Sequence, residues 1–238
     1  YATGTNPILI NSDHPPLGKY FIGWITILTG NNRVSSLFFG VGVAILLYYI
    51  VFSLSGSHVA ALLTICCMSI DSVFSDQIRY SPILDVIQVF FLLLFFAATI
   101  SYMRTQKIYA IIIAGLALGC MSAVKLYFPA IIALIVSTGY LFLSRRVTFK
   151  KTLIYGSLVG ALMAMVYTLS YLQLFLQGGT LRTFLGTQKW IFLFWQQNSV
   201  VTSGADYKWG AFALILFNKW KVWWGDSPTL PFEHWNWF

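Results

Sequence analysis

Long apolar runs separated by short polar breaks occupy most of the chain. Six of these runs are long enough, or nearly so, to cross a lipid bilayer as α-helices. The short breaks place consecutive helices antiparallel to each other. The predicted crossings are residues 34–54, 58–75, 83–103, 108–125, 126–144 and 152–176.

The segments on either side of these six predicted crossings are also apolar, but neither is predicted to cross the membrane. Residues 17–30 are too short for a full crossing and predict an interfacial or half-inserted helix. Residues 209–224 and 232–238 hold most of the tryptophans, which is typical of an interfacial aromatic belt. We therefore predict an all-α polytopic membrane protein with one transmembrane domain. Its parts are an external loop and interfacial helix (1–33), about six membrane helices (34–176), and an external loop with a Trp-rich interfacial segment (177–238).

Composition supports a membrane location. Of the 238 residues, 58% are hydrophobic and only 9% are charged, whereas soluble domains carry about a quarter charged residues. The cysteines Cys66, Cys67 and Cys120 lie inside apolar runs, which predicts small core side chains rather than a disulfide or metal framework. The chain starts at Tyr1 and stops at Phe238 beside an aromatic cluster, so we expect an incomplete chain.

The net charge of +8 is spread thinly over short loops, which argues against a nucleic-acid partner and for membrane lipid. One group of basic residues lies in two loops that are separated by two crossings. The two loops therefore lie on the same side of the membrane. By the positive-inside rule this side is predicted to be cytoplasmic. The group consists of Arg104, Lys107, Arg145, Arg146, Lys150 and Lys151. Most other polar segments then fall on the opposite side.

The first candidate site on that opposite side is the loop before the short helix. Asp13 and His14 precede Pro15 and Pro16, which fix the backbone φ and suit the start of a helix. A carboxylate and an imidazole are thereby held at a helix entrance. A Pro-rich turn with solvated charges is the alternative interpretation.

A second group of candidates comes from the breaks at 71–85 and at residue 125. Arg79 has the guanidinium geometry that suits a lipid phosphate, although it could simply extend to the membrane surface. Asp85 is expected in the first turn of a helix, where it either caps the helix or serves a site. Lys125 stands alone between two apolar helices, and its alternatives are a site role or snorkelling.

The string HPPLGK at residues 14–19, preceded by Asp13, resembles the first external loop of the protein O-mannosyltransferases, which are GT-C glycosyltransferases. Two weaker similarities follow in the family's order. Residues 79–85 (RYSPILD) resemble its Arg-then-Leu-Asp segment, and residues 115–119 (GLALG) with Lys125 resemble its Gly-rich helix ending in Lys. The resemblance covers roughly residues 10–125 and implies a GT-C-like helical bundle.

The resemblance implies transfer of a sugar, mannose above all, from a polyprenyl or dolichyl phosphate to a protein, lipid or glycan acceptor on the extracellular or lumenal side. The candidate catalytic residues are Asp13, His14 and Asp85, and the candidate donor-binding residues are Lys19, Arg79 and Lys125. In the family an acidic pair upstream of this loop supplies the base, and a later loop carries a His-Pro that residues 203–209 do not match.

A non-catalytic membrane subunit, such as part of a transporter or an assembly scaffold, is the alternative function. No spacing of His, Cys and carboxylate residues forms a metal-ligand pattern. The sequence leaves open whether a divalent metal serves as a cofactor. His58, at a helix start, predicts a structural role. Glu233 and His234 could serve an acceptor or the membrane interface, and the sequence does not distinguish the two.

Overall fold

The computed structural model describes residues 4, 6–10, 12–79 and 84–203. Within these ranges the regular secondary structure is entirely α-helical, as predicted. The helices are α1 Pro7–Ile10, α2 Leu17–Thr29, α3 Arg33–Ser55, α4 His58–Ile70, α5 Ser72–Arg79, α6 Leu84–Thr105, α7 Ile108–Val124, α8 Phe128–Leu143, α9 Phe149–Ser170, α10 Leu172–Leu176 and α11 Leu181–Ser203.

The chain forms two compact units, Tyr1–Gly179 and Thr180–Phe238. The boundary lies close to residue 177, where the sequence predicts the end of the membrane helices. The second unit begins with helix α11, in a segment that the sequence predicts as an external loop. The predicted Trp-rich segment and the loop at 204–209, with Glu233 and His234, lie outside the described residues. The single-domain assignment stays a prediction.

Among the helices of the described ranges, three are long and apolar enough to cross a membrane: α3, α6 and α9. The other predicted crossings form shorter apolar helices: α4 has 13 residues, α7 has 17 and α8 has 16. At 1.5 Å per residue, α4 spans about 20 Å, less than the ~30 Å hydrocarbon core. Large apolar side chains such as Leu28 (83% exposed) and Ile70 (80% exposed) cover the outside, as suits a lipid environment. The chain is a multi-pass membrane protein.

Two predicted crossings end earlier than the apolar pattern indicates. The predicted helix 58–75 stops at Ile70, because the Asp71 carboxylate accepts a hydrogen bond from the Phe74 N–H at 2.7 Å and thereby starts the new helix α5. The predicted helix 152–176 breaks at Tyr171, which separates α9 from α10. In both places a backbone change interrupts a continuous apolar run.

The predicted tight turns are confirmed. Gly56 ends α3 with φ 69°, a left-handed conformation that glycine adopts without strain, and its N–H donates to the Phe52 carbonyl at 2.8 Å. The Ser57 hydroxyl then accepts from the Ala60 N–H at 3.2 Å and caps α4. Lys125 lies in the short connection between α7 and α8, as expected.

The core of the first unit centres on α7, which packs against both α6 and α9. Gly115 and Gly119 form a GxxxG pattern on α7. A Cβ added at Gly115 would stand 2.6 Å from the Leu162 Cβ, and one added at Gly119 would stand 2.6 Å from the Val166 Cβ. The two glycines therefore allow α9 to approach α7 closely, which is how small residues promote helix packing in membranes.

Not every cysteine belongs to this core. Cys66 and Cys67 are exposed on α4, so their prediction as core residues is wrong, and Cys120 on α7 is half-buried. Apolar runs in a membrane protein continue on lipid-facing surfaces, where a small side chain is equally tolerated. Position inside an apolar run therefore does not establish burial.

The predicted basic loops meet at one end of the first unit. The Lys151 ammonium donates to the Gln106 side-chain oxygen at 2.5 Å, and the Gln106 amide donates to the Arg146 carbonyl at 3.4 Å. The Arg104 guanidinium donates to the Ser53 carbonyl at the end of α3. We call this region, with Arg104, Arg146 and Lys151, the basic end. Its predicted cytoplasmic orientation stays a prediction.

Candidate functional site

The loop before α2 and the first turn of α2 carry opposite charges that lie close together. The Lys19 ammonium in the first turn of α2 is 3.5 Å from an Asp13 carboxylate oxygen, and the His14 Nε2 is 3.9 Å from the other oxygen. Pro15 and Pro16 are buried, and Pro16 immediately precedes the helix. The rigid proline pair thus sets where Asp13 and His14 stand relative to Lys19.

Gly18 determines how closely this loop approaches the rest of the unit. A Cβ at this position would stand 2.6 Å from the Leu84 Cδ2, 2.9 Å from the Val124 Cγ1 and 3.3 Å from the Val124 carbonyl oxygen. Leu84 begins α6 and Val124 ends α7, so only a glycine lets the start of α2 pack against both. The sequence contained this signal, a glycine inside HPPLGK, but did not reveal what it faces.

The residues that follow Leu84 and Val124 form an ion pair. The Lys125 ammonium donates to the Asp85 carboxylate at 2.7 Å, with the two side chains 26% and 38% exposed respectively. One turn along α6, the Gln88 amide donates to the Leu126 carbonyl at 3.2 Å and to the Met121 carbonyl at 3.5 Å. Gln88 thereby joins α6 to the end of α7. The sequence interpretation missed both the ion pair and the role of Gln88.

These two groups of charges lie on helix ends that Gly18 packs together, and we call them the charged cluster: Asp13, His14, Lys19, Asp85 and Lys125. Burial lowers the pKa of His14 from its ordinary value of 6.5, and the Asp13 carboxylate opposes this effect. Lys19 and Lys125 lower the pKa of His14 further, whereas Asp85 raises it. The charges of three distant segments of the sequence therefore act on one imidazole.

Arg79 is placed differently. It is the last residue of α5, its side chain is exposed, and among the described residues it forms no ion pair. The structure therefore brings five of the six predicted site residues together and leaves Arg79 outside their contacts. The predicted helix start after Pro82 lies outside the described residues, and α6 begins at Leu84 with Asp85 in its first turn.

An apolar cavity of about 400 Å³ lies beside the start of α2. Leu17, Tyr20 and Trp24 line it from α2, and the Tyr20 and Trp24 rings stack with centroids 5.7 Å apart. Cys120 lines it from α7, with Val166 from α9. Since Leu17 and Tyr20 flank Lys19 in sequence, an apolar surface and the charged cluster share the same helix end.

His58 lies outside the charged cluster, and the possible metal ligands among the described residues form no group. The His58 ring stacks on Phe52 at 4.3 Å, and its Nδ1 lies 2.6 Å from the Tyr48 hydroxyl oxygen, which agrees with the predicted structural role. In the ranges that the structure describes, no three His, Cys, Asp or Glu side chains are grouped as metal ligands.

A model of the family described as dolichyl-phosphate-mannose-protein mannosyltransferase matches residues 13–171. The match covers more than half of the chain, and it begins at Asp13 and includes every member of the charged cluster. Comparisons with curated proteins and with solved structures find no match. The match agrees with the resemblance carried by HPPLGK, RYSPILD and the Gly-rich helix. The chain therefore belongs to the dolichyl-phosphate-mannose-protein mannosyltransferase family, a family of membrane glycosyltransferases.

Proposed function

We propose that this protein transfers mannose from dolichyl or polyprenyl phosphate to a hydroxyl group of a protein acceptor on the non-cytoplasmic side of the membrane, and that the charged cluster is where transfer takes place. The observation that carries the proposal is the meeting of Asp13, His14, Lys19, Asp85 and Lys125 at one end of the helices. The family supplies the reaction class, and these contacts support its location.

The cationic members suit the leaving group. In transfer, the acceptor oxygen attacks the anomeric carbon of mannose, and the bond from that carbon to the phosphate oxygen breaks with its electron pair on the phosphate. Lys19 and Lys125 stabilise this developing charge, because fixed cations in a partly buried site lower the barrier without reorganising. The ion pair with Asp85 holds the Lys125 side chain in position. Asp85 is then a positioning residue rather than the base.

The proton of the acceptor hydroxyl needs a base within reach. Asp13 is the proposed base, because its carboxylate is half-buried beside Lys19 and His14. His14, whose pKa is lowered by burial, is neutral at pH 7 and can hydrogen-bond to the acceptor or to Asp13. A carboxylate upstream of Tyr1, as the family resemblance implies, is the alternative base.

The donor also carries a long apolar chain. The cavity lined by Leu17, Tyr20 and Trp24 supports binding of its first isoprenoid units next to the cluster, since an apolar wall beside cationic groups matches a lipid phosphate. Arg79 remains a proposed phosphate ligand on the resemblance alone. An arginine could bind phosphate in a bidentate way that lysine cannot reproduce.

Radiolabelled transfer from dolichyl-phosphate mannose to a Ser/Thr-containing peptide tests the proposal, with full-length protein in membranes at matched expression. We expect Asp13→Asn to lower turnover by about a hundredfold, as loss of general-base catalysis does. Asp76→Asn is the matched control, because Asp76 is exposed on α5 outside the cluster. Absence of transfer by the unaltered protein would favour the non-catalytic alternative.

A further inference from the structure

A second cavity, of about 580 Å³, lies at the basic end of the first unit, among α3, α6 and α8. Its size falls in the range of ligand-binding sites. Ile50, Leu93, Phe96, Met103 and Val136 give it mainly apolar walls, and the buried Ser137 adds a polar group. The cavity is therefore suited to an apolar chain.

Two arginines, Arg104 and Arg146, also line this cavity. Arg104 is held at the end of α3 by its hydrogen bond to the Ser53 carbonyl. Within the described ranges neither arginine pairs with a carboxylate. Two cations without an anionic partner at the side of an apolar cavity leave a position that an anionic head group can fill.

The cavity is separate from the charged cluster. Asp85 and Arg104 lie in the first and last turns of α6, and the helical rise places them roughly 28 Å apart along its axis. This span is close to the thickness of the hydrocarbon core, so Arg104 stands at the level of one layer of lipid head groups. The cavity and the cluster thus face opposite membrane surfaces.

We propose that the cavity binds an anionic glycerophospholipid, with the lipid phosphate on Arg104 and Arg146 and an acyl chain along the apolar walls. The planar guanidinium suits phosphate oxygens, and basic pockets between membrane helices at the cytoplasmic surface are where anionic lipid accumulates. The positive-inside prediction assigns this end to that surface. The inference concerns a lipid other than the mannosyl donor and does not depend on the proposed transfer reaction.

Native mass spectrometry of the full-length protein in detergent, titrated with phosphatidylglycerol or with phosphatidylcholine, tests this proposal. We expect the unaltered protein to bind one phosphatidylglycerol in preference to phosphatidylcholine, and Arg146→Gln to weaken phosphatidylglycerol binding by about fivefold. The fold should persist, because only the Arg146 backbone carbonyl takes part in the hydrogen bond from Gln106. Lys150→Gln, which removes an exposed charge outside the cavity, should change binding less than twofold.

A second variant tests the apolar part of the site without changing any charge. Ser137→Leu should fill part of the cavity and reduce phosphatidylglycerol binding, while leaving Arg104 and Arg146 in place. Equal affinity for the two lipids would overturn the proposal. So would unchanged binding in both Arg146→Gln and Ser137→Leu, or an equal loss in Lys150→Gln.

Discussion

The Lys125 ammonium lies 2.7 Å from the Asp85 carboxylate, although 40 residues separate them in sequence. Lys125 follows the last residue of α7 and Asp85 occupies the first turn of α6, so the ion pair joins two helix ends. In the same region Gly18 brings α2 against Leu84 and Val124. The charges of the HPPLGK loop and of the ion pair are thereby assembled by backbone packing.

If Asp85 positions Lys125, then Asp85→Asn should reduce mannosyl transfer by about tenfold, because Lys125 loses its anionic partner but keeps its charge. Asp85→Glu should restore part of the activity, since it can still pair with Lys125. Steady-state transfer rates with matched expression measure both effects. Full activity in Asp85→Asn would show that the ion pair does not position Lys125 for transfer.

Gly18→Ala should destabilise the protein by about 1–3 kcal/mol, since its Cβ would meet Leu84 and the Val124 backbone in a packed region. Gly139→Ala is a matched control, because a Cβ at this helical glycine meets nothing within 4 Å. It should be neutral or stabilising by up to about 1 kcal/mol. Thermal unfolding in detergent compares the two variants, and equal melting temperatures would contradict the close packing of Gly18.

The lowered pKa of His14 predicts a pH dependence of stability. Burial is the main reason that the neutral form of His14 is favoured, and the charges of Asp13, Lys19, Lys125 and Asp85 also act on its pKa. The contribution of the neutral His14 imidazole to the free energy of unfolding is fully present above the unfolded-state pKa of about 6.5. It is lost as the pH falls through the lower folded-state pKa.

His14→Gln replaces the imidazole by a neutral amide and removes this titration. We therefore expect the melting temperature of the unaltered protein to fall more steeply than that of His14→Gln as the pH decreases below 6.5. Melting temperatures measured at a series of pH values compare the two proteins. Parallel curves would mean that folding does not favour the neutral imidazole.

Membrane orientation can be tested with cysteines at Ser12 and, separately, at Thr148, in a protein lacking Cys66, Cys67 and Cys120. Positive-inside asymmetry predicts that an impermeant thiol reagent labels Ser12→Cys from the non-cytoplasmic side and Thr148→Cys only after the membrane is opened. Transfer activity should be retained in both proteins as a control for folding. Labelling of both positions from one side would contradict the predicted topology.

Much of the helical framework was predictable from the sequence, because apolar length and turn residues are local signals. Gly56, Ser57 and Lys125 mark turns that the structure contains. The breaks at Asp71 and Tyr171 were not predictable in this way, since each interrupts an apolar run by a local change of the backbone. Hydrophobicity alone does not record where a helix in a membrane is capped.

The candidate site was predictable in its members but not in its contacts. The HPPLGK motif with the preceding Asp13 indicated Asp13, His14 and Lys19. The charged break at 71–85 indicated Asp85, and an isolated charge between two apolar helices indicated Lys125. The pairing of Asp85 with Lys125 depends on how α6 and α7 pack, and that packing depends on side chains spread over many turns. Gln88 was missed because its partners are backbone carbonyls, which leave no signal in sequence.

If the charged cluster binds the donor phosphate, loss of the Lys125 charge should weaken use of the donor. Transfer kinetics of Lys125→Met against a titration of dolichyl-phosphate mannose measure this effect most directly. Lys107→Met is the control, because Lys107 is an exposed lysine beside a helix start at the opposite end of α7. We expect kcat/KM for the donor to fall by about a hundredfold in Lys125→Met and by less than twofold in Lys107→Met. An unchanged kcat/KM in Lys125→Met, or an equal loss in both variants, would contradict the assignment of the cluster as the donor phosphate site.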